Sequence, residues 1–173
     1  MAKPSRNARP NSVPNSARTF FATTKTSQGQ YLLQSERNAI LLIDVLRSYV
    51  AAGKFRVHDF VVMPDHVHVL VTVGSGMTIE KAMQFLKGGF SYRLRKEYGY
   101  LGEVWQRRFS ETRVRDRESF QRHREYIAAN PVRAGLAGSP EAFPYCYAYL
   151  AKRKTTGAKA HELSNCGTAE AVP

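Results

Sequence analysis

Apolar and polar positions in this chain recur with two different periods, and the switches between them mark out the elements. Residues 18–26 are rich in Thr and Phe and read as a strand. Over residues 34–50, Ile40, Leu41, Val45, Leu46 and Tyr49 fall at helical spacing, and Gly53 closes the segment. Residues 55–63 and 66–73 are β-branched and apolar, with the turn dipeptide Pro64-Asp65 between them, so the pair reads as a hairpin. Thr78 is the expected N-cap of a long helix reaching about residue 98, in which Ile79, Ala82, Met83, Leu86, Phe90 and Leu94 keep the 3.6 period. Residues 105–114 read as another strand. Asp116 is the expected cap of a helix over residues 117–129, which Pro131 is expected to end. The order β-α-β-β-α-β-α predicts an α+β fold, an antiparallel sheet with helices packed against it.

Composition narrows the class. The 173 residues are 43% hydrophobic and 11% aromatic, enough for one globular domain. Residues 1–16 carry Lys3, Arg6, Arg9 and no acid, and read as a disordered basic arm. Residues 151–173 read as a disordered basic tail, leaving 17–150 as the domain. No apolar run approaches the roughly 20 residues needed to span a bilayer, and no secretory signal precedes the domain. The two cysteines, Cys146 and Cys166, make neither a disulfide framework nor a Cys-based zinc site, so the expected compartment is the cytoplasm. Net charge is +12, which favours a polyanionic partner, nucleic acid more simply than a membrane surface. Half of that charge, +6 from 12 basic and 6 acidic residues, lies within residues 87–133.

Three constellations carry candidate chemistry. In His66-Val67-His68, residues two apart on a strand share a face, so both imidazoles project together while Val67, Val69, Val71 and Val73 face a core. Paired imidazoles can chelate a divalent cation. Alone, the pair reads more readily as two half-exposed strand histidines. Tyr126 and Asn130 stand four apart on a helix and so point the same way. Asn130 offers a hard carbonyl oxygen suited to Mg²⁺ or Mn²⁺, and Tyr126 a phenol that becomes a nucleophile once its proton is removed. Alone, that pair also fits a packed Tyr and a helix-ending Asn. The third is a basic and aromatic belt that includes Lys87, Tyr92, Arg93, Arg95, Lys96, Trp105, Arg107, Arg108, Arg113, Arg115, Arg122 and Arg124. Basic side chains bind phosphates and aromatic faces stack on unpaired bases, so the belt favours nucleic acid over a merely solvated face. Gly88-Gly89, inside a helical pattern, would let another backbone approach closely.

Taken together, these segments resemble a known family. Met63-Pro64-Asp65-His66-Val67-His68-Val69-Leu70 resembles the His-hydrophobic-His (HUH) strand of single-tyrosine transposases. Tyr126-Ile127-Ala128-Ala129-Asn130-Pro131-Val132-Arg133-Ala134-Gly135-Leu136 resembles the tyrosine helix of their REP-associated branch, and Trp105-Gln106-Arg107-Arg108-Phe109 the segment between. The resemblance spans roughly residues 17–148. It implies a ferredoxin-like, HUH-type sheet, His66, His68 and Asn130 as ligands of Mg²⁺ or Mn²⁺, and Tyr126 as nucleophile. It further implies cleavage and rejoining of single-stranded DNA beside hairpin or palindromic repeats, through a 5′-phosphotyrosine. One departure is plain: Ser110-Glu111-Thr112 stands where the family often shows Tyr-Asp-His. Two rival readings stay open, a domesticated hairpin binder that does not cleave and a metal-dependent phosphodiesterase that uses water. Monomer and homodimer are both left open, and no membrane is expected.

Overall fold

The computed structural model describes residues 16–155. The expected arm at 1–16 and tail at 151–173 therefore lie outside the described residues, apart from residue 16 and the five residues 151–155. The elements run β1 (Arg18–Thr26), α1 (Glu36–Ala51), β2 (Arg56–Val62), β3 (His66–Val73), α2 (Ile79–Tyr98), β4 (Trp105–Val114), α3 (Arg117–Arg133) and α4 (Tyr147–Thr155). A 3₁₀ turn at Ser27–Gly29 follows β1 and another at Pro140–Ala142 precedes α4. The predicted order β-α-β-β-α-β-α is observed, with α4 added. Among the described residues, no helix is long and apolar enough to cross a membrane.

The four strands form one antiparallel sheet in the order β2-β3-β1-β4. Alternation along β3 divides its side chains between the faces. Val67, Val69, Val71 and Val73 join Phe20, Ala22, Phe60 and the inner residues of α1 and α2 in the larger core. The other face carries His66, His68, Leu70 and Thr72. There Leu70 packs with Val61, Val114, Ile127 and Phe143 under α3 and the C-terminal segment.

Helix starts follow capping chemistry. Ser35, Thr78 and Asp116 each accept from the backbone N–H three residues on, at 3.4, 3.1 and 2.7 Å. Gly89 lets α2 approach α1: a Cβ there would stand 2.8 Å from Tyr49 Cε2 and 3.0 Å from Val45 Cγ1. The close approach that Gly88-Gly89 suggested is thus met by protein at Gly89, while Gly88 faces open space.

Two expectations are corrected. The helix α3 does not end before Pro131 but passes through it to Arg133. Proline removes one helix bond and crowds the carbonyl four residues back, yet only two residues of helix follow it. The end itself is a Schellman motif. Leu136 N–H donates to Pro131 O at 2.8 Å, Gly135 N–H donates to Val132 O at 3.0 Å, and Gly135 takes φ 70°. Second, the helical pattern did not predict α4, which is held to the outer edge of β2. Val62 N–H donates to Tyr145 O at 2.9 Å, and Cys146 forms an isolated bridge with Val61.

Candidate active site

The second face of the sheet carries the candidate chemistry. On β3, His66 and His68 project together, their ring centroids 4.7 Å apart. Each ring is held through Nδ1. His66 Nδ1–H donates to Asp65 Oδ1 at 2.6 Å. His68 Nδ1 lies 2.7 Å from Thr23 Oγ1, on the residue directly opposite it on β1. When Nδ1–H donates, as it does from His66 to the Asp65 carboxylate, Nε2 is left with its lone pair. This is how metal-binding histidines are oriented: a carboxylate or hydroxyl fixes the tautomer on one nitrogen and leaves the other for the metal. His68 is 5% exposed. Burial, reinforced by His66 and Lys25, pulls its pKa down to about 3, so the imidazole is neutral.

Helix α3 crosses β2 and β3 antiparallel to β3. Phe120 packs edge-on against His58, 5.2 Å away, whose Nε2 is 2.7 Å from Thr72 Oγ1. Further along, Tyr126 packs against His68 at 5.3 Å. As α3 advances from Phe120 to Tyr126, its neighbours on β3 run back from Thr72 to His68. Asn130 follows Tyr126 by four residues, about 6 Å further along α3. Its Nδ2 donates to Tyr126 O at 3.4 Å. That arrangement leaves Oδ1 as the group available to a cation.

The residues thus fit a divalent cation of the Mg²⁺ or Mn²⁺ kind: two oriented imidazoles and one carboxamide oxygen. Among the described residues, no three His, Cys, Asp or Glu side chains gather as a metal cluster, so the set depends on Asn130.

Phe21 was missed by the sequence reading and sits at the hub. Its ring lies 5.3 Å from His68, 4.7 Å from His123 and 5.7 Å from Tyr126, the last at an interplanar angle of 90°. Thr23 was missed as well. The signal for both was their alternation on β1, which places Phe21 and Thr23 on the histidine face once β1 pairs with β3. His123 Nδ1–H donates to Ser119 O at 2.6 Å, and the ring packs on Phe21. Tyr126 is 42% exposed, so a substrate can reach its hydroxyl.

Beside Tyr126, helix α3 packs on β2 and β3 and reaches β1 at Phe21, while the middle of β4 stays exposed. There Ser110 pairs with Thr23 and Thr112 with Phe21, so both point toward the same side as the histidines, and both are exposed.

The basic belt divides in two. Trp105 is 7% exposed, packs on Phe90 at 5.4 Å and donates its indole N–H to Lys87 O at 3.0 Å. It is a core residue and no stacking surface, which corrects the expectation. Lys87 is also tied down, its Nζ donating to Gln106 O at 2.7 Å and Arg107 O at 3.3 Å, where the β1–β4 register shifts. Arg124 reaches Asp59 of β2 at 3.3 Å and holds α3 on the sheet. Arg93 pairs with Glu97 at 2.6 Å, Arg122 with Glu118 at 2.9 Å, and Arg113 lies over Phe20 at 5.5 Å. Arg95, Lys96, Arg107, Arg108 and Arg115 are exposed.

The chain is similar to known proteins. The family described as Transposase IS200 like matches residues 20–130. A REP-associated tyrosine transposase of Escherichia coli (strain K12) is 28% identical over 136 residues, 73% of this chain and 73% of that protein. A solved structure described as a REP-associated tyrosine transposase bound to a REP hairpin superposes with a TM-score of 0.64 at 22% identity. It covers 100% of this chain and 99% of that one, and the likeness is one of fold.

Proposed function

Because the chain belongs to the IS200-like transposase family, we propose that it cleaves and rejoins single-stranded DNA beside hairpin repeats, with Tyr126 as nucleophile. The observation that supports this reading is the packing of Tyr126 against His68, 5.3 Å apart, with His66 beside it on the same strand face. The relative and the solved structure named above, one of them bound to a REP hairpin, support the choice of substrate. A DNA substrate of this kind places the work in the cytoplasm.

Each group then has a task. Tyr126 Oη attacks a backbone phosphorus, the phenolic oxygen–phosphorus bond forms, and the bond to the 3′ oxygen breaks. The products are a 5′-phosphotyrosine and a 3′-hydroxyl, and attack by a 3′-hydroxyl reverses the step without an external energy source. A divalent cation bound at His66, His68 and Asn130 would supply Lewis-acid stabilisation of the phosphate charge. Asp65 and Thr23 keep the two imidazoles aimed. Phe21 stands edge-on to the Tyr126 ring and limits its swing. The exposed middle of β4, with Ser110 and Thr112, gives the scissile strand a hydroxyl-bearing floor next to the nucleophile.

The test is incubation with labelled single-stranded DNA from the flanks of the gene, with Mg²⁺ or Mn²⁺, followed by denaturing electrophoresis. Wild type should form a covalent adduct that a chelator abolishes. Tyr126→Phe should form none and still bind a hairpin, because it removes one hydroxyl. Cleavage by Tyr126→Phe without an adduct would make water the nucleophile. Hairpin binding by wild type with no cleavage under either metal would make the protein a binder.

A further inference from the structure

We infer that the solvent side of the last two turns of α2 is a stacking platform for single-stranded DNA outside the active site. This rests on the reading above that the substrate is single-stranded. At about 100° per residue, Lys96, Tyr92, Arg95 and Tyr98 follow one another around that side of the helix, opposite the buried Phe90 and Leu94. Basic and aromatic side chains therefore alternate around an arc. The array continues onto α1, where the Arg37 guanidinium lies 4.2 Å over the Tyr98 ring. Lys96 Nζ lies 5.7 Å over Tyr92. Tyr92 is 62% exposed, Tyr98 40% and Tyr31, in the neighbouring loop, 67%. The one carboxylate of these turns, Glu97, is taken up by Arg93 at 2.6 Å, on the other side of the helix.

Exposed tyrosines cost solvation of their rings, and here Tyr92 and Tyr98 each lie beside a cation. Cation and π-face together fit a phosphodiester whose bases are unpaired: the cations meet the backbone, and the rings accept any base. Duplex DNA hides its base faces and cannot use the rings. The platform also lies at the end of the sheet that holds His66. Tyr100 OH is 3.2 Å from Gln30 Oε1, and Leu33 N–H donates to Pro64 O at 2.9 Å, one residue before the Asp65–His66 pair. The loop from Gln30 to Leu33 thus links the residue before Asp65 to the segment that follows α2.

The test measures fluorescence anisotropy with an oligothymidylate of about 12 nucleotides and a duplex of about 12 base pairs. Tyr92→Ala with Tyr98→Ala should weaken oligothymidylate binding by about tenfold or more. Duplex binding should stay within about twofold of wild type, and Tyr92→Phe with Tyr98→Phe should bind both probes as wild type does. Unaltered oligothymidylate affinity would overturn the inference, as would equal loss on duplex or loss in the phenylalanine pair. So would a wild-type dimer in sedimentation that the alanine pair dissociates, because the patch would then serve self-association. Circular dichroism melting of both pairs checks folding. The adduct assay separates the two readings. Adduct formation with unchanged oligothymidylate binding in the alanine pair defeats the platform alone, whereas weakened binding without any wild-type adduct defeats cleavage alone.

Discussion

Thr23→Val probes the orientation of His68 and, through it, the proposed metal site. The substitution keeps the shape of the side chain and replaces the hydroxyl 2.7 Å from His68 Nδ1 with a methyl group. The ring has no substitute partner. It is 5% exposed and walled by Phe21 at 5.3 Å, His66 at 4.7 Å and Tyr126 at 5.3 Å. A buried polar atom left unmatched costs about 1–3 kcal/mol. Loss of the partner that orients a ligating histidine lowers metal affinity by about 10–100-fold, or about 1.4–2.8 kcal/mol. The assay is adduct yield against Mn²⁺ concentration. The midpoint should rise by about 10–100-fold, and the yield at saturating metal should recover. An unmoved midpoint refutes the reasoning. A lowered plateau at an unmoved midpoint would mean that Thr23 acts on the DNA and not on His68.

Three further outcomes follow from the same coordinates. Asp59 is buried, and burial raises its carboxyl to about 6 against the pull of Arg124. A raised carboxyl contributes stability that is fully present below its unfolded value near 4 and lost as pH rises through about 6. Asp59→Asn should therefore be more stable than wild type at pH 8, by up to about 3 kcal/mol in urea denaturation, and equal to it near pH 4; a variant less stable at pH 8 contradicts this. Gly89→Ala drives a Cβ to 2.8 Å from the Tyr49 ring and should lower stability by about 1–3 kcal/mol in thermal melts, while Gly88→Ala, facing open space, should not. Replacing the exposed Arg107 and Arg108 with Gln should reduce the salt slope of DNA binding by about 0.7–0.9 per lost phosphate contact, and an unchanged slope would remove both from the interface.

Local periodicity exposed most of the site in the sequence. His66 and His68 share a face because strands alternate, and Tyr126 and Asn130 because helices turn, and neither relation needs tertiary information. Phe21 and Thr23 depend on β1 pairing with β3 in one register across more than forty residues of chain, which no local pattern encodes. Trp105 looked like a stacking surface because its neighbours in sequence are basic, yet the β4 face it occupies packs on Phe90. The end of α3 was misplaced because a proline signal was weighed without Gly135, which supplies the left-handed residue where the helix stops. Helix α4 has only nine residues, and its place is set by the Val62–Tyr145 bond more than by any apolar period.

Charge was the least legible property, for a physical reason. A count of +6 over residues 87–133 treats every cation as available. Folding spends some of them on geometry. Lys87 neutralises two strand carbonyls where β4 shifts register, and Arg124 pins α3 to Asp59 of β2 two residues before Tyr126. Those two cations bear on the chemistry by position and not by contact. Arg124 helps fix the height of α3 over β3, where Tyr126 packs against His68 at 5.3 Å. In the proposed mechanism that height holds the nucleophile against a metal ligand. A slip of one residue would carry Tyr126 away from His68, whatever charge remained on the surface.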